Sequence, residues 1–242
     1  MEFSTISEIN TDDGSTWENR VFVTFDIDWA HDEIIRDTID LCEHAGVSAT
    51  WFITHESAVL GRLRENLKFE IGIHPNFNYL LQGDPRSGKN AKEVVDRIHS
   101  IVPESTSVRS HSLCYSSTIQ EIYADLGITH DSSVIIPSQN NTQELWPWKM
   151  WDGLIRVPYM FCDYVTSMTW GAKIKTLLRR NGIKVFDFHP IHVFLNTESL
   201  GRYESTRLLH QNPKELIKHR YDGYGARSRL LDLLKFAKNY QS

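Results

Sequence analysis

The chain has no surplus of positive charge: 26 lysines and arginines are outnumbered by 31 aspartates and glutamates, for a formal net charge of -5. A protein that grips nucleic acid must neutralise phosphates with clustered cations, so nucleic acid is not expected as its main partner. No run of about 18 apolar residues occurs, and no membrane-spanning helix is expected. The segment from Met1 to Arg20 is polar and acidic rather than basic and then apolar, which argues against a standard export signal. There are only three cysteines, Cys42, Cys114 and Cys162, widely separated and without Cys-x-x-Cys spacing. Neither a disulfide framework nor a sulfur-bound zinc fits that pattern, and a cytoplasmic location is the expectation. Without an export signal, the sequon at Asn140 reads as a polar loop. Also missing are internal repeats, low-complexity linkers and the Gly-x-Ser-x-Gly elbow of a serine hydrolase. The segment Gly83 to Asn90 nearly matches a phosphate-binding loop. Asn90 stands where a magnesium-holding hydroxyl is needed, and with Glu93 it reads instead as the N-cap of a helix.

What is present is an alternation of short apolar runs with helical stripes. Val21 to Phe25 reads as a buried strand, followed by a helix carrying Ile34, Ile35, Leu41, Cys42 and Ala45 that Gly46 can end. Further strands are expected at Ala49 to Thr54, Phe69 to Ile73, Thr106 to Arg109, Ile128 to His130, Leu154 to Val157 and Val185 to Phe188. Helices are expected near Ser57 to Glu65, Ala91 to Val102, Ser116 to Leu126 and Ala226 to Tyr240. About seven βα units imply a parallel sheet closed or nearly closed on itself. The expected fold is therefore α/β, a single-domain distorted (β/α)7-type barrel. Residues 1–18 are expected as a flexible arm, and 19–242 as the barrel with its C-terminal helix.

In such barrels the side chains that do chemistry sit at the C-terminal strand ends, which open on one face. Asp26 and Asp28 follow the first strand, His55 the second, His74 the third, and Arg109 and His111 the fourth. His130 and Asp131 follow the fifth, Asp163 the sixth, and His189 and His192 the seventh. Carboxylates and imidazoles together suit a divalent transition metal, and a metal-bound water becomes a nucleophile near neutral pH. Asp26 and Asp28, two apart, would share one face of an extended strand, where one can bind metal and the other take a proton. A pair of strand-ending aspartates alone is equally compatible with helix capping; the histidines that accompany it favour a metal site.

Thr24-Phe25-Asp26-Ile27-Asp28, His74-Pro75-Asn76-Phe77-Asn78, Val108-Arg109-Ser110-His111 and Phe186-Asp187-Phe188-His189-Pro190 occur in an order that resembles the NodB-homology polysaccharide deacetylases, carbohydrate esterase family four. The resemblance runs from about residue 20 to 195. It implies a distorted barrel that removes N- or O-acetyl groups from sugars with one metal, usually held by an aspartate and two histidines. By position, Asp26 corresponds to the catalytic base, Asp28 and His74 to metal ligands, Arg109 to the arginine that orients the base, and His189 to the general acid. Two departures stand out: a residue intervenes between the aspartates, and the second histidine of the His-x-x-x-His pair is Asn78, a neutral and weaker zinc ligand.

The implied cofactor is one divalent metal, zinc before cobalt, nickel or iron, held by Asp28, His74 and Asn78. Substrate contacts are assigned to His111, His192 and Asp163, with Asp163 also able to steady Arg109 or His189. His192 can equally serve as a substitute ligand or a structural hydrogen-bonder, and His111 as a core histidine. His31 begins a helix. The tryptophan-rich stretch from Trp146 to Trp170 is either cover for the core or a sugar-stacking wall. The expected function is metal-dependent deacetylation of an amino sugar or polysaccharide precursor in surface polysaccharide synthesis, with carbohydrate as partner and the oligomeric state open. Two alternatives stand beside it: a metal-assisted amidohydrolase acting on a non-sugar C-N bond, and a carbohydrate-binding protein that lost its metal with the change to Asn78.

Overall fold

The computed structural model describes residues 1–137, 144–164 and 173–239, with side chains described as far as residue 235. In chain order the strands are β1 (Glu2–Phe3), β2 (Arg20–Asp26), β3 (Ala49–Ile53), β4 (Phe69–Ile73), β5 (Ser107–Val108), β6 (His130–Ile135), β7 (Trp148–Lys149), β8 (Ile155–Tyr159), β9 (Phe161–Cys162) and β10 (Val185–Phe188). Every residue of β3 and β10 is buried, as is β2 from Val21 onward, the pattern of parallel strands covered on both faces. They pair in the order β7-β8-β6-β5-β4-β3-β2-β10-β9, all parallel except β7 on β8.

The two ends of that order meet. β8 and β9 are consecutive in the chain, yet one pairs with β6 and the other with β10. Between them, Tyr159 accepts from the Ile136 amide while the Met160 amide donates to Val185. The stretch from Ile155 to Cys162 therefore passes from one edge of the sheet to the other and curls it into a barrel. Its seven staves are β2, β3, β4, β5, β6, the β8 to β9 segment and β10. The barrel is distorted because β5 has two residues and β6 carries an irregularity between Asp131 and Val134.

The helices are α1 (Asp32–Ala45), α2 (Leu60–Glu65), α3 (Asn78–Leu81), α4 (Ala91–His99), α5 (Ser117–Asp125), α6 (Ile174–Leu178), α7 (Pro190–Leu195), α8 (Leu200–Ser205), α9 (Pro213–Leu216) and α10 (Ala226–Asn239). His31 caps α1 by accepting from the Glu33 amide, and Gly46 ends it at φ 63, a left-handed conformation that costs glycine little. Asn90 accepts from the Glu93 amide at the start of α4, so the near-match to a phosphate loop is a helix entry. α10 lays Leu230, Leu233 and Leu234 into the core, and Arg227 pairs with Asp37 of α1. Among the described residues no helix is long and apolar enough to cross a membrane.

Two expectations meet a different arrangement. Residues 1–18 lie against the sheet: β1 pairs with β2, and Ile6, Ile9 and Trp17 are buried. His130 and Asp131 open β6 instead of ending a strand. His130 Nε2 contacts the Ile9 carbonyl at 2.8 Å, and Asp131 pairs with the buried Arg156 at 2.5 Å. The strand was hidden because its next residues, Ser132 and Ser133, are polar. Both are fully buried, as hydrogen-bond partners of Arg109 and of the Ser110 amide.

Gly72 in β4 sits opposite Phe52 of β3. A Cβ there would lie 2.6 Å from the Phe52 ring and 2.7 Å from Ser107 Oγ, and that ring in turn lies 4.6 Å from the Arg109 guanidinium. We expect Gly72→Ala to destabilise the fold by about 1–3 kcal/mol through overpacking. A urea midpoint lowered at unchanged slope would bear this out; an unchanged midpoint would show that the barrel gives way there freely.

Candidate active site

Arg109, immediately after β5, is completely buried and joins four staves. Its Nη1 donates to Thr24 Oγ1 at 2.8 Å, Asp26 Oδ1 at 3.0 Å and Asp187 Oδ1 at 2.5 Å, while Nε and Nη2 donate to Ser132 O and Oγ, each at 3.0 Å. Phe52 and Tyr159 cover its two faces at 4.6 and 4.4 Å. Burial opposes its charge, but Asp187 and Asp26 override that and hold the guanidinium ionised. One cation faces two carboxylates, and burial pushes Asp187 up from the ordinary carboxylate range in spite of it.

Asp187 belongs among the site residues although the sequence reading left it out. A signal was available: an aspartate inside an otherwise apolar strand, two residues before His189, shares its face. Its strand partner in register is Thr24, itself two residues before Asp26.

Asp28 lies beyond the end of β2, not in extended continuation of it. Asp28 and Trp29 take φ of 36° and 55°, conformations that side chains other than glycine rarely adopt and that recur at functional sites. The turn sets Asp28 against two imidazoles. Its Oδ1 is 3.3 Å from His74 Nε2 and 3.3 Å from His111 Nδ1, and those two nitrogens are 3.2 Å apart. Burial would push the Asp28 carboxyl up, but His111, His74 and the charge of His189 hold it well below the usual range. Asp28 Oδ1 is nonetheless buried with no hydrogen-bond partner, and so is His74 Nδ1. Two imidazole nitrogens beside an unsatisfied carboxylate oxygen are a donor set that fits zinc or a neighbouring divalent metal. The Asn78 side chain donates through Nδ2 to Ser112 Oγ at 3.0 Å.

His189, just after β10, is held by Asp163, which follows β9. Asp163 Oδ1 is 2.7 Å from His189 Nδ1, and Oδ2 accepts the His189 amide at 2.9 Å. The other nitrogen, Nε2, is 3.5 Å from Asp28 Oδ2. Burial disfavours the imidazolium, but the Asp163 carboxylate outweighs burial and lifts the pKa well above that of a free histidine. Asp163 is thus a partner of His189. His192 lies behind, in the first turn of α7, with its ring 5.6 Å from that of His189 and Nδ1 3.1 Å from Thr197 Oγ1. Burial brings His192 down to about 4, so it is neutral. The half-exposed Tyr164 faces both histidines at 6.2 and 5.9 Å, and Tyr203 packs on His192 at 4.8 Å. Across the opening, Trp29 meets the His111 ring edge-on at 5.2 Å.

Asp26, Asp28, His74, Arg109, His111, Asp163, His189 and His192 thus gather at one end of the barrel. His55 is turned to Thr54, and His130 is at the opposite end. Trp146 packs on Trp17 away from this opening, while Trp170 lies outside the described residues.

Residues 23–207 match the family profile described as WbmS-like: Polysaccharide deacetylase. Among solved structures, a Bordetella bronchiseptica protein provisionally assigned as a polysaccharide deacetylase involved in O-antigen biosynthesis shares 41% identity over 98% of each chain, with a TM-score of 0.91. A family 4 carbohydrate esterase from Streptomyces lividans is 12% identical over 89% of this chain and 88% of its own, with a TM-score of 0.47. A protein from Mycobacterium smegmatis, also provisionally assigned as a polysaccharide deacetylase, is 14% identical over 97% and 94%, with a TM-score of 0.48. These two are too distant to bear on the site. No protein of curated function matches the sequence.

Replacing Arg109 by methionine leaves Asp26 and Asp187 buried without a cation, and we expect a loss of about 3–5 kcal/mol at neutral pH. The folded variant should then hold its carboxyl protons more tightly than the unfolded chain. Its stability relative to wild type should therefore recover as pH falls from about 8 to about 5. Denaturant midpoints across that range check both points; a variant as stable as wild type at neutral pH would show that the guanidinium is not the anchor.

Proposed function

This chain belongs to the WbmS-like polysaccharide deacetylase family, and on that footing we propose that it is a metal-dependent hydrolase removing acetyl groups from an amino sugar of a surface polysaccharide or its precursor. The Bordetella bronchiseptica relative supports O-antigen assembly as the setting. No disulfide joins Cys42, Cys114 or Cys162, which suits a reducing cytoplasm as the place of action. The observation that carries the chemistry is the flanking of Asp28 and His74 by a carboxylate on one side and an imidazole on the other. Asp26 Oδ2 lies 3.6 Å from His74 Nε2 on one side, and His189 Nε2 lies 3.5 Å from Asp28 Oδ2 on the other.

Asp28 and His74 would hold the metal, for which zinc best matches the donors, with cobalt, nickel or iron as related choices. A bound divalent cation supplies Lewis acidity, polarising the acetyl carbonyl and acidifying water. Asp26 accepts the proton of the attacking water, on the carboxylate whose other oxygen Arg109 fixes. Water oxygen bonds to the acetyl carbon, the bond from that carbon to the sugar nitrogen breaks, and His189 Nε2 gives its proton to the departing amine. Asp163 holds the opposite ring nitrogen, so the donated proton sits on the side facing Asp28. Tyr164 and Trp29 line the approach and supply ring faces and edges to the sugar, with His192 packed beneath Tyr164.

Acetate release from an N-acetylated surface oligosaccharide tests the reading. Stripping the metal with a chelator should abolish release and added zinc should restore it. Asp26→Asn should lower kcat by about 10²–10⁴; near-normal release by that variant would remove Asp26 as the base. The acid acts when protonated, so activity is present below the His189 pKa and lost as pH rises through it. Because Asp163 raises that pKa, Asp163→Asn should move the alkaline limb of the pH profile to lower pH. An alkaline limb that stays in place would discard His189 as the acid.

A further inference from the structure

We propose that His111 is the third protein ligand of the metal and that Asn78 holds the loop presenting it. This rests on the metal-dependent reading above. Ligand atoms bound tetrahedrally at about 2.0–2.1 Å stand about 3.3 Å from one another. Asp28 Oδ1, His74 Nε2 and His111 Nδ1 form a triangle with edges of 3.3, 3.3 and 3.2 Å. Hydrogen bonding accounts for one edge, His74 Nε2 with His111 Nδ1, and leaves the other two unexplained, because Asp28 Oδ1 has two ring nitrogens at 3.3 Å and yet no hydrogen-bond partner. Donors that crowd an acceptor without being directed at it are arranged around a shared point. The two rings stand at 88° to each other, so their nitrogens converge without the rings stacking.

The loop that carries His111 is strained. Ser112 and Leu113 both take left-handed φ, at 55° and 58°. Two consecutive non-glycine residues in that region persist only when something external holds them. The holding contacts come from the segment that bears His74: the Pro75 carbonyl accepts the His111 amide at 3.0 Å, and the Asn78 side chain donates to Ser112 Oγ at 3.0 Å. The asparagine at the His-x-x-x-Asn position is thereby a positioning residue, fastening one ligand's loop to the other ligand's. Two other clusters could offer metal donors, but each has carboxylate oxygens already tied, Asp163 Oδ1 to His189 and Asp26 Oδ1 with Asp187 Oδ1 to Arg109, and neither brings two imidazoles together.

The test is zinc affinity, measured on the metal-stripped full chain by competition with a chromophoric chelator. Relative to wild type, His111→Ala and His74→Ala should each lose at least about 100-fold. Asn78→Ala and Ser112→Ala should each lose about tenfold, the scale of a lost supporting hydrogen bond, with the double variant no worse than either. His111→Cys loaded with cobalt should gain a thiolate-to-cobalt charge-transfer band, a signature that does not depend on activity and that covers the case in which His111→Ala folds poorly. Metal retained in His111→Ala but lost in His74→Ala, or no such band in His111→Cys, would overturn the assignment while leaving a metal site standing. If wild type itself binds no zinc, cobalt or nickel, the metal-dependent reading falls and this assignment with it.

Discussion

Everything at the open end of this barrel depends on one guanidinium shared between two carboxylates. Arg109 rises from β5, the shortest stave, yet reaches Thr24 and Asp26 of β2, Ser132 of β6 and Asp187 of β10. An ion removed from water this completely costs several kcal/mol unless its partners are well placed, so the contacts are mutually obligatory. The aromatic faces of Phe52 and Tyr159 close off the remaining directions. The tight approach of Gly72 to Phe52 belongs to the same construction, since it seats the ring that covers Arg109.

With Arg109 in place, chemically similar groups become different. Asp26 has one oxygen tied to the guanidinium, and Asp28 has one oxygen among imidazoles with no hydrogen bond at all. His189 and His192, three residues apart and both buried, are driven in opposite directions. A carboxylate beside the first keeps it protonated, while burial beside a hydroxyl keeps the second neutral. The strained residues cluster here too, at Asp28, Trp29, Ser112 and Leu113, where the backbone leaves its preferred regions to aim side chains at a common centre.

Much of the framework was readable from periodicity. The runs at Val21, Ala49, Phe69 and Val185 are strands, because residues buried on both faces must be apolar throughout. Gly46 and Asn90 mark helix ends through local conformation and capping, which need no tertiary information. β6 was misplaced because Ser132 and Ser133 look like loop residues until Arg109 and the Ser110 amide are beside them. The N-terminal segment looked loose because three scattered hydrophobic residues form no periodic stripe, yet Ile6, Ile9 and Trp17 all find the underside of the sheet.

The sequence by itself determined which residues stand at the strand ends, and so which side chains reach the open face: Asp26, His74, Arg109 and His189 are set there by strand length and the two-residue alternation of side chains. Tertiary structure alone decided how they share the work. That Arg109 is claimed by Asp187 as well as Asp26, that Asp163 belongs to His189, and that His111 comes to face Asp28 and His74 follow from barrel closure and from two left-handed turns. Those contacts join residues more than twenty positions apart, and spacing along the chain carries no information about which side chains of neighbouring staves will meet.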